Sequence, residues 1–298
     1  MEGRSKGNLL LLLAAAIWGF AFVAQREGMV HLGPLAFNGI RFLLGALTVL
    51  VFVMLTQPFT ELKQVLSGKL LLIHGLMAGL VLFFASSFQQ LGMIYTTAGN
   101  AGFITSLYVL FVPVIGLMRN QPSGKSVWAG ALLAAFGLYL LSVKDGFAMQ
   151  TGDLLVLISA VFWAFHLVIL AYIAPLHDFR HIAFFQFLVT GTISLLLASL
   201  FEDIGFEAFK QAWLPILYTG ILSAGLGFTL QIAGQRKARA DHAALILSLE
   251  AVFALAGGYL ILHESMTSKQ LAGAAFMLAA SVIAQWPAGK NETKKLPK

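Results

Sequence analysis

The chain has 298 residues, of which 59% are hydrophobic and only 11% are charged. A soluble domain carries about 25% charged residues, so this composition excludes a soluble enzyme and a disordered chain. The net charge of +6 does not indicate a nucleic-acid binder, because lysine and arginine occur in short clusters between apolar runs. The absence of cysteine excludes disulfides, thiol catalysis and cysteine-ligated metal sites.

Ten apolar stretches are long enough to cross a membrane, which takes about 20 residues. They are predicted at 8–25, 34–56, 69–93, 98–118, 126–143, 152–174, 181–201, 212–234, 242–262 and 268–286. Turn and breaker residues separate them, for example Gly33-Pro34, Gln57-Pro58 and Ala174-Pro175. The sequence therefore predicts an all-α integral membrane protein with ten transmembrane helices.

The basic residues predict the orientation, because lysine and arginine concentrate in cytoplasmic loops. With ten spans both termini lie on one side of the membrane. That side carries Arg4, Lys6, Lys63, Lys69, Arg119, Lys125, Arg180, Arg236, Lys237, Arg239, Lys290, Lys294, Lys295 and Lys298, whereas the other carries Arg26, Lys144, Lys210 and Lys269. We expect cytoplasmic termini, in the plasma membrane, which in a bacterium is the inner membrane.

The two halves of the chain resemble each other. Matched pairs at offsets of 142 to 145 residues are Gly7 and Gly152, Trp18 and Trp163, Gln89 and Gln231, Gly92 and Gly234, and Gly130 and Gly273. The predicted repeats cover residues 1–147 and 148–287, followed by a basic tail, 288–298, that faces membrane lipids. Because each repeat holds five spans, the second half is inverted, an arrangement typical of transporters with a central cavity.

Two tryptophans, Trp18 and Trp163, lie near the middle of their spans, whereas membrane tryptophans usually lie at the interfaces. They either pack against neighbouring helices or line a cavity at the repeat interface. His166 follows Trp163 by about one helical turn. A hydrogen bond between helices is the simplest role for His166, and a substrate contact is the alternative.

Two charged residues lie deep in predicted spans, where a charge is costly and usually faces a cavity or the bundle interior. Glu250 lies about 12 Å into the ninth span, counted at 1.5 Å per residue. It could couple transport to protons or capture a substrate cation, or it could stay protonated and bond a neighbouring helix. Arg41 could reach outward to the interface or hold an anionic group such as a substrate carboxylate.

Neutral polar residues at membrane depth include Gln89, Tyr108 and Gln231. Most such residues form hydrogen bonds between helices. The candidate substrate-binding residues are Trp18, Trp163, Arg41, Gln89, Tyr108, His166 and Gln231, with Glu250 as the candidate proton-coupling residue. We predict no metal site, because His177 and His181 lie in a loop without a third ligand.

Three segments carry a family resemblance: AAAIWGFAFV in the first span, PLAFNGIRFLLGAL with Pro34 and Arg41, and SLEAVFALAGGYLILHESMTSKQLAGAAFMLAA in the last two spans. They resemble the EamA family of the drug/metabolite transporter superfamily. The resemblance implies two inverted five-helix repeats around a central cavity, and export of small metabolites, often amino acids and often proton-linked. The chain departs from the family at Arg119-Asn120-Gln121-Pro122, which lacks a glutamate turn, and at Ala251, where a proline is usual.

The leading functional prediction is a secondary exporter of small amphipathic metabolites, above all amino acids, that works by alternating access. No GxxxxGK[ST] motif is present, so uphill transport must use an ion gradient, most simply protons. The alternatives are a carrier of drugs, organic cations, sugars or nucleosides, an integral-membrane enzyme, and a channel. An enzyme acting on lipid phosphates would need paired carboxylates for Mg²⁺. We expect a small-molecule substrate, no cofactor, no nucleic acid and no obligate protein partner.

Overall fold

The computed structural model describes residues 2–57, 68–96, 98–142, 151–262 and 266–285, and every regular element in these ranges is a helix. In chain order the helices are α1 (Glu2–Gly28), α2 (Pro34–Thr56), α3 (Lys69–Ile94), α4 (Ala98–Ser106), α5 (Tyr108–Met118), α6 (Lys125–Ser142), α7 (Thr151–Ile173), α8 (Phe179–Phe201), α9 (Phe206–Gln211), α10 (Trp213–Leu217), the π-helix π1 (Tyr218–Phe228), α11 (Thr229–Gln235), α12 (Ala240–Leu247), α13 (Glu250–Leu262) and α14 (Ser268–Gln285).

Eight segments of the described chain are long and apolar enough to span a membrane. They are Ser5–Gly28, Pro34–Thr56, Lys69–Ile94, Ala101–Met118, Thr151–Ile173, Phe179–Phe201, Trp213–Gln235 and Ala240–Gly257. The shorter apolar stretches Lys125–Leu140 and Ser268–Ala284 complete a set of ten. These helices confirm the predicted all-α membrane fold. Helices suit this environment because each span then satisfies its own backbone hydrogen bonds in lipid.

The first helix begins at Glu2, about one and a half turns before the predicted start of its span. Residues 2–7 contain no proline, and extending an existing helix by a residue costs far less than nucleating one. The polar start of α1 therefore lies outside the apolar stretch that the sequence marks as a span.

Three spans are not continuous α-helices. The fourth is divided at Leu107 into α4 and α5, and the ninth is divided after Leu247, so that α13 begins at Glu250. The eighth contains π1 between α10 and α11. All three irregularities lie in the middle part of their spans. Broken helices and π-helical turns free backbone groups from the regular ladder and recur at functional sites.

The helices pack as two inverted repeats. Helix α1 contacts π1, α11 and α13, and its counterpart α7 makes the matching contacts with α3, α4 and α5. Helix α2 packs against its counterpart α8, and α6 packs against its counterpart α14. Since each interface has its equivalent in the other half, a pseudo-two-fold axis relates the halves, as the sequence repeat predicts.

Matched glycines form equivalent helix crossings. Gly7 on α1 lies against Gly234 on α11, and Gly152 on α7 lies against Gly92 on α3. A Cβ atom added to Gly234 would lie 2.9 Å from the carbonyl oxygen of Gly7, and one added to Gly152 would lie 2.5 Å from that of Gly92. The sequence pairs Gly7 with Gly152 and Gly92 with Gly234, so each repeat supplies the same contact.

A methyl group at this crossing is expected to destabilise the fold. The Gly152→Ala variant must separate α7 from α3, and overpacking of this kind costs about 1–3 kcal/mol. We expect a lower apparent Tm in detergent, measured by thermal unfolding followed by size-exclusion chromatography. Gly205→Ala is the control, because no atom lies within 4 Å of a Cβ added there. Equal Tm values for the two variants would contradict the close-packing role of Gly152.

The bundle has two ends, which we name by their residues. The terminal end is where α1 begins and α14 finishes, and the Pro34 end is where α2 begins. At the Pro34 end the Glu202 carboxylate accepts hydrogen bonds from the backbone N–H groups of Leu35 (2.9 Å) and Ala36 (2.8 Å). A carboxylate at a helix N-terminus is stabilised by the helix dipole. This contact holds the end of α8 against the start of α2.

A second contact joins α2 and α8 at the terminal end. Arg180 Nη1 donates to Thr56 Oγ1 at 2.8 Å, and His181 Nε2 lies 2.9 Å from Gln57 Oε1. Asp178 caps α8 through the backbone N–H of Arg180. Burial disfavours the charged carboxylate, but the hydrogen bonds and charge of Arg180 hold the pKa of Asp178 below its ordinary value. The repeat-related pair α2 and α8 is thus joined at both ends.

Candidate functional site

A narrow cavity lies at the repeat interface, between the middle of the bundle and the Pro34 end. Its walls come from α1, α2, α3, α4, α5, α7, π1 and α13. The lining residues are Trp18, Ala21, Phe22, Gln25, Arg41, Gln89, Thr105, Tyr108, Trp163, Ser223, Phe228 and Glu250. The volume open to the centres of water molecules is about 40 Å³, which holds a few waters. A metabolite needs more room than this, so binding requires the walls to move apart.

Six of the eight candidate residues line this cavity: Trp18, Trp163, Arg41, Gln89, Tyr108 and Glu250. His166 and Gln231 do not line it, although both are buried. The lining also includes Thr105, Ser223 and Phe228, which are not among the candidate residues predicted from the sequence. Nothing distinguishes these three in the sequence, because hydroxyl and phenylalanine side chains recur along most of the spans.

Arg41 contributes a buried positive charge to the cavity wall, with a side chain 3% exposed. Its Nε and Nη2 donate to Asn38 Oδ1 at 3.0 and 2.9 Å, and its Nη1 donates to Gln25 Oε1 at 2.9 Å. The guanidinium has five N–H donors, so two remain beyond these three bonds. Among the described residues no carboxylate pairs with it. A buried cation without an anionic partner is a candidate site for an anionic ligand.

Asn38 holds Arg41 in place. Its Nδ2 donates to Ser86 Oγ at 2.9 Å and to Ser194 Oγ at 3.3 Å, while its Oδ1 accepts from Arg41. Ser86 lies on α3 and Ser194 on α8, so the amide is fixed by both neighbouring helices. The residue is fully buried. Because Nδ2 is held by two serines and Oδ1 accepts from Arg41, Asn38 fixes the orientation of the guanidinium. Residues behind a binding group commonly align it in this way.

Glu250 contributes a buried carboxyl group to the cavity wall, and its side chain is 4% exposed. Ser106 Oγ and Tyr108 Oη donate to Oε1 at 3.3 and 3.2 Å. Both donors flank the break at Leu107, and Glu250 itself begins α13 after the break in the ninth span. The two interrupted spans are repeat counterparts, so the irregular backbone of both halves meets at this carboxyl group.

Three aromatic rings form the apolar wall. The Phe228 ring centroid lies 4.6 Å from Trp18 and 5.8 Å from Trp163, with the latter pair stacked at 23°. Trp18 Nε1 donates to the carbonyl oxygen of Ser223 in π1 at 3.2 Å. Gly227 allows this approach, since a Cβ there would lie 2.7 Å from Trp18 Nε1. Both repeat-related tryptophans therefore contact one phenylalanine, Phe228.

Of the remaining candidate residues, Gln89 lies at the cavity wall, whereas His166 and Gln231 lie outside the lining. Gln89 Nε2 donates to Thr105 Oγ1 at 3.2 Å at the cavity wall. His166 Nε2 lies 3.0 Å from Gln186 Oε1, on the terminal side of Trp163. Gln231 is 1% exposed, and its Oε1 has no hydrogen-bond partner among the described residues. Within the ranges that the structure describes, no group of three His, Cys, Asp or Glu side chains could hold a metal ion.

The chain is similar to membrane transporters along most of its length. A protein of Archaeoglobus fulgidus named as an uncharacterized transporter is 33% identical over 281 residues, which is 94% of this chain and 86% of that protein. A protein of Salmonella typhimurium named "Probable amino-acid metabolite efflux pump" is 28% identical over 294 residues, 93% of this chain and 94% of that protein.

The fold also has a solved counterpart. One crystal structure superimposes with a TM-score of 0.75 at 18% identity, covering 94% of this chain and 96% of the other. The model of the EamA-like transporter family matches twice, at residues 5–143 and 150–285. The two matches cover nearly the whole chain, one in each half. The protein belongs to the EamA-like transporter family.

Proposed function

We propose that the protein exports small amphipathic metabolites, with amino acids as the substrate class, through the central cavity by alternating access. The observation that carries this proposal is the pair of opposite ionisable groups, Arg41 and Glu250, that line one cavity without forming an ion pair. Buried charges in a membrane are costly unless they have a partner or a function. The name of the Salmonella relative gives independent support for amino-acid export.

In this proposal Arg41 binds the substrate carboxylate. A guanidinium presents its N–H groups as a planar fork that fits a carboxylate with two hydrogen bonds. Asn38 and Gln25 occupy the other N–H groups and set the orientation of the fork. Gln89 and Tyr108 add polar contacts at the same wall. Phe228 and the two tryptophans offer an apolar surface to the substrate side chain.

Glu250 carries the coupled proton in the same scheme. It is the acidic side chain of the cavity lining, and Ser106 and Tyr108 can hydrogen-bond it whether it is charged or neutral. Proton binding from one side and release to the other would drive substrate in the opposite direction. A carrier of organic cations is the second candidate, because Glu250 beside aromatic rings could also bind a cation.

We also propose on which side of the membrane the termini lie and how the chain divides into repeats. The basic loops support cytoplasmic termini in a plasma membrane, the inner membrane of a bacterium. In this proposal residues 1–147 and 148–287 form the two repeats, and the predicted basic tail, 288–298, lies outside the described residues. The matched glycine crossings support this division.

Radiolabelled counterflow in proteoliposomes tests the proposal. We expect saturable exchange of one group of amino acids, and accumulation when a pH gradient is imposed. Empty liposomes and the Gly205→Ala variant are the controls, because Gly205 lies in open space away from the cavity. Exchange of organic cations, with none of any amino acid, would support the second candidate. Absence of exchange for amino acids, organic cations, sugars and nucleosides, in folded protein, would contradict the carrier assignment.

A further inference from the structure

A row of buried polar side chains without complete hydrogen bonding lies between the central cavity and the terminal end. Among the described residues seven buried side-chain atoms have no partner, and five of them belong to this row: Trp163 Nε1, His166 Nδ1, Gln186 Nε2, Gln231 Oε1 and Gln235 Oε1. The other two are Nε2 and Oε1 of Gln90 on α3, outside the row. The last four residues of the row are each at most 1% exposed. Buried polar groups in folded proteins nearly always have partners, so each orphan requires an explanation. Five in one region indicate a segment that is wetted or bound to a ligand in another conformation.

These residues are connected from the cavity toward the terminal end. Trp163 lines the cavity, and its ring centroid lies 5.9 Å from that of His166. His166 contacts Gln186 on α8 through the 3.0 Å hydrogen bond. Gln231 and Gln235 are four residues apart on α11 and therefore share a face. Gln235 Nε2 reaches α7 by donating to the Leu167 carbonyl oxygen at 2.9 Å.

The row leads toward an opening at the terminal end. A cavity of about 410 Å³ lies between the loop before α8 and the end of α11, and it is lined by Pro175, Phe179, Ala233, Arg236 and Lys237. Arg236 and Lys237 form no ion pair among the described residues. Two such cations at the mouth of a passage raise the local concentration of anionic solutes.

The pseudo-two-fold axis explains why this row lies in the second half. The polar groups Gln25, Arg41 and Gln89 line the central cavity from α1, α2 and α3. The helices related to these by the repeat are α7, α8 and the segment of π1 and α11, which carry His166, Gln186 and Gln231. In an inverted repeat the two halves exchange roles when access alternates. The row is then the counterpart of the polar lining of the central cavity.

We propose that this row, from Trp163 through His166, Gln186, Gln231 and Gln235 to the mouth at Arg236 and Lys237, is the closed terminal half of the substrate path. The inference rests on the proposed function, since it assumes transport through the central cavity. In the observed conformation Phe187, Phe228 and Ile232 belong to one buried apolar cluster, and the Phe228 ring centroid lies 6.2 Å from that of His166 in the row. When the halves exchange roles, water and a carboxylate-bearing substrate reach the row, and its orphan groups gain partners.

Cysteine accessibility tests the path, and the natural chain contains no cysteine that would interfere. Single variants His166→Cys, Gln231→Cys and Gln235→Cys are reacted with a charged, membrane-impermeant methanethiosulfonate in vesicles of both orientations. Only a hydrated thiol forms the thiolate that reacts. Phe165→Cys and Leu226→Cys are the controls, because these side chains are 43% exposed on the lipid-facing surface of the same spans.

We expect the three path variants to react several-fold faster than the controls, from the terminal side, and to react at a different rate when substrate is present. Reaction rates equal to those of Phe165→Cys and Leu226→Cys would overturn the path. So would reaction only from the Pro34 end. Counterflow measured on the same preparations separates the two proposals, because hydration of the row is read without any substrate. Three positions on two helices keep the test decisive if one variant fails to fold.

Discussion

A Glu250→Gln variant is expected to exchange substrate across the membrane but to lose accumulation driven by a pH gradient. Glutamine keeps an oxygen that accepts hydrogen bonds from Ser106 and Tyr108, so the contact between the two broken spans can persist. It cannot bind and release a proton. The transport rate of the variant should therefore not depend on pH between about pH 5 and pH 9. The rate of the natural protein should change with pH, because its carboxyl group can bind and release the coupled proton.

The measurement compares counterflow without a gradient and accumulation with an imposed gradient in the same proteoliposomes. Glu207→Gln on α9 serves as the matched control, because its side chain is 68% exposed and lies far from the cavity lining. Accumulation by Glu250→Gln at the rate of the natural protein would remove Glu250 from the coupling role. Loss of exchange together with accumulation, in a variant that elutes as folded protein, would assign Glu250 to substrate binding instead.

The helical spans could be predicted from sequence because hydrocarbon leaves few alternatives to a helix. Hydropathy and loop signals located nine of the ten starts within about two residues, and α1 differed because polar residues extend a helix beyond the membrane. The breaks at Leu107 and after Leu247 carry no proline or glycine at the break itself. They depend on contacts between repeat counterparts, which single-sequence patterns do not contain.

Site residues can be predicted from sequence where their position in a membrane span is energetically costly or unusual. Arg41 and Glu250 stand out because charges in spans are expensive, and Trp18 and Trp163 stand out because they lie away from the interfaces. Phe228, which contacts both tryptophans, is one of 25 phenylalanines and has no such mark. Asn38 is visible as a polar residue in a span, but its role in orienting Arg41 depends on where α3 and α8 pack.

Replacing Arg41 with lysine is expected to raise the KM for an amino-acid substrate without a comparable loss for its carboxamide. Lysine keeps the charge but provides no planar fork, and its amine cannot donate to Asn38 and Gln25 while also binding a carboxylate with two bonds. Loss of a buried, hydrogen-bonded charge contact costs about 2 kcal/mol or more, which corresponds to a rise of roughly 30-fold in KM. The carboxamide lacks the anionic group, so its inhibition constant should change little.

The readout is the ratio of inhibition constants for the amino acid and its carboxamide, measured against counterflow of labelled substrate. This ratio is insensitive to the fraction of active protein, so a variant that folds in low yield still gives an answer. Arg26→Lys is the control, because Arg26 lies exposed in the last turn of α1 and outside the cavity lining. If Arg41→Lys preserves the ratio, Arg41 does not bind the substrate carboxylate. Its buried charge then stabilises the hydrogen bonds of Asn38 that join α2, α3 and α8. If the ratio collapses only in Arg41→Lys, the guanidinium selects carboxylate-bearing substrates.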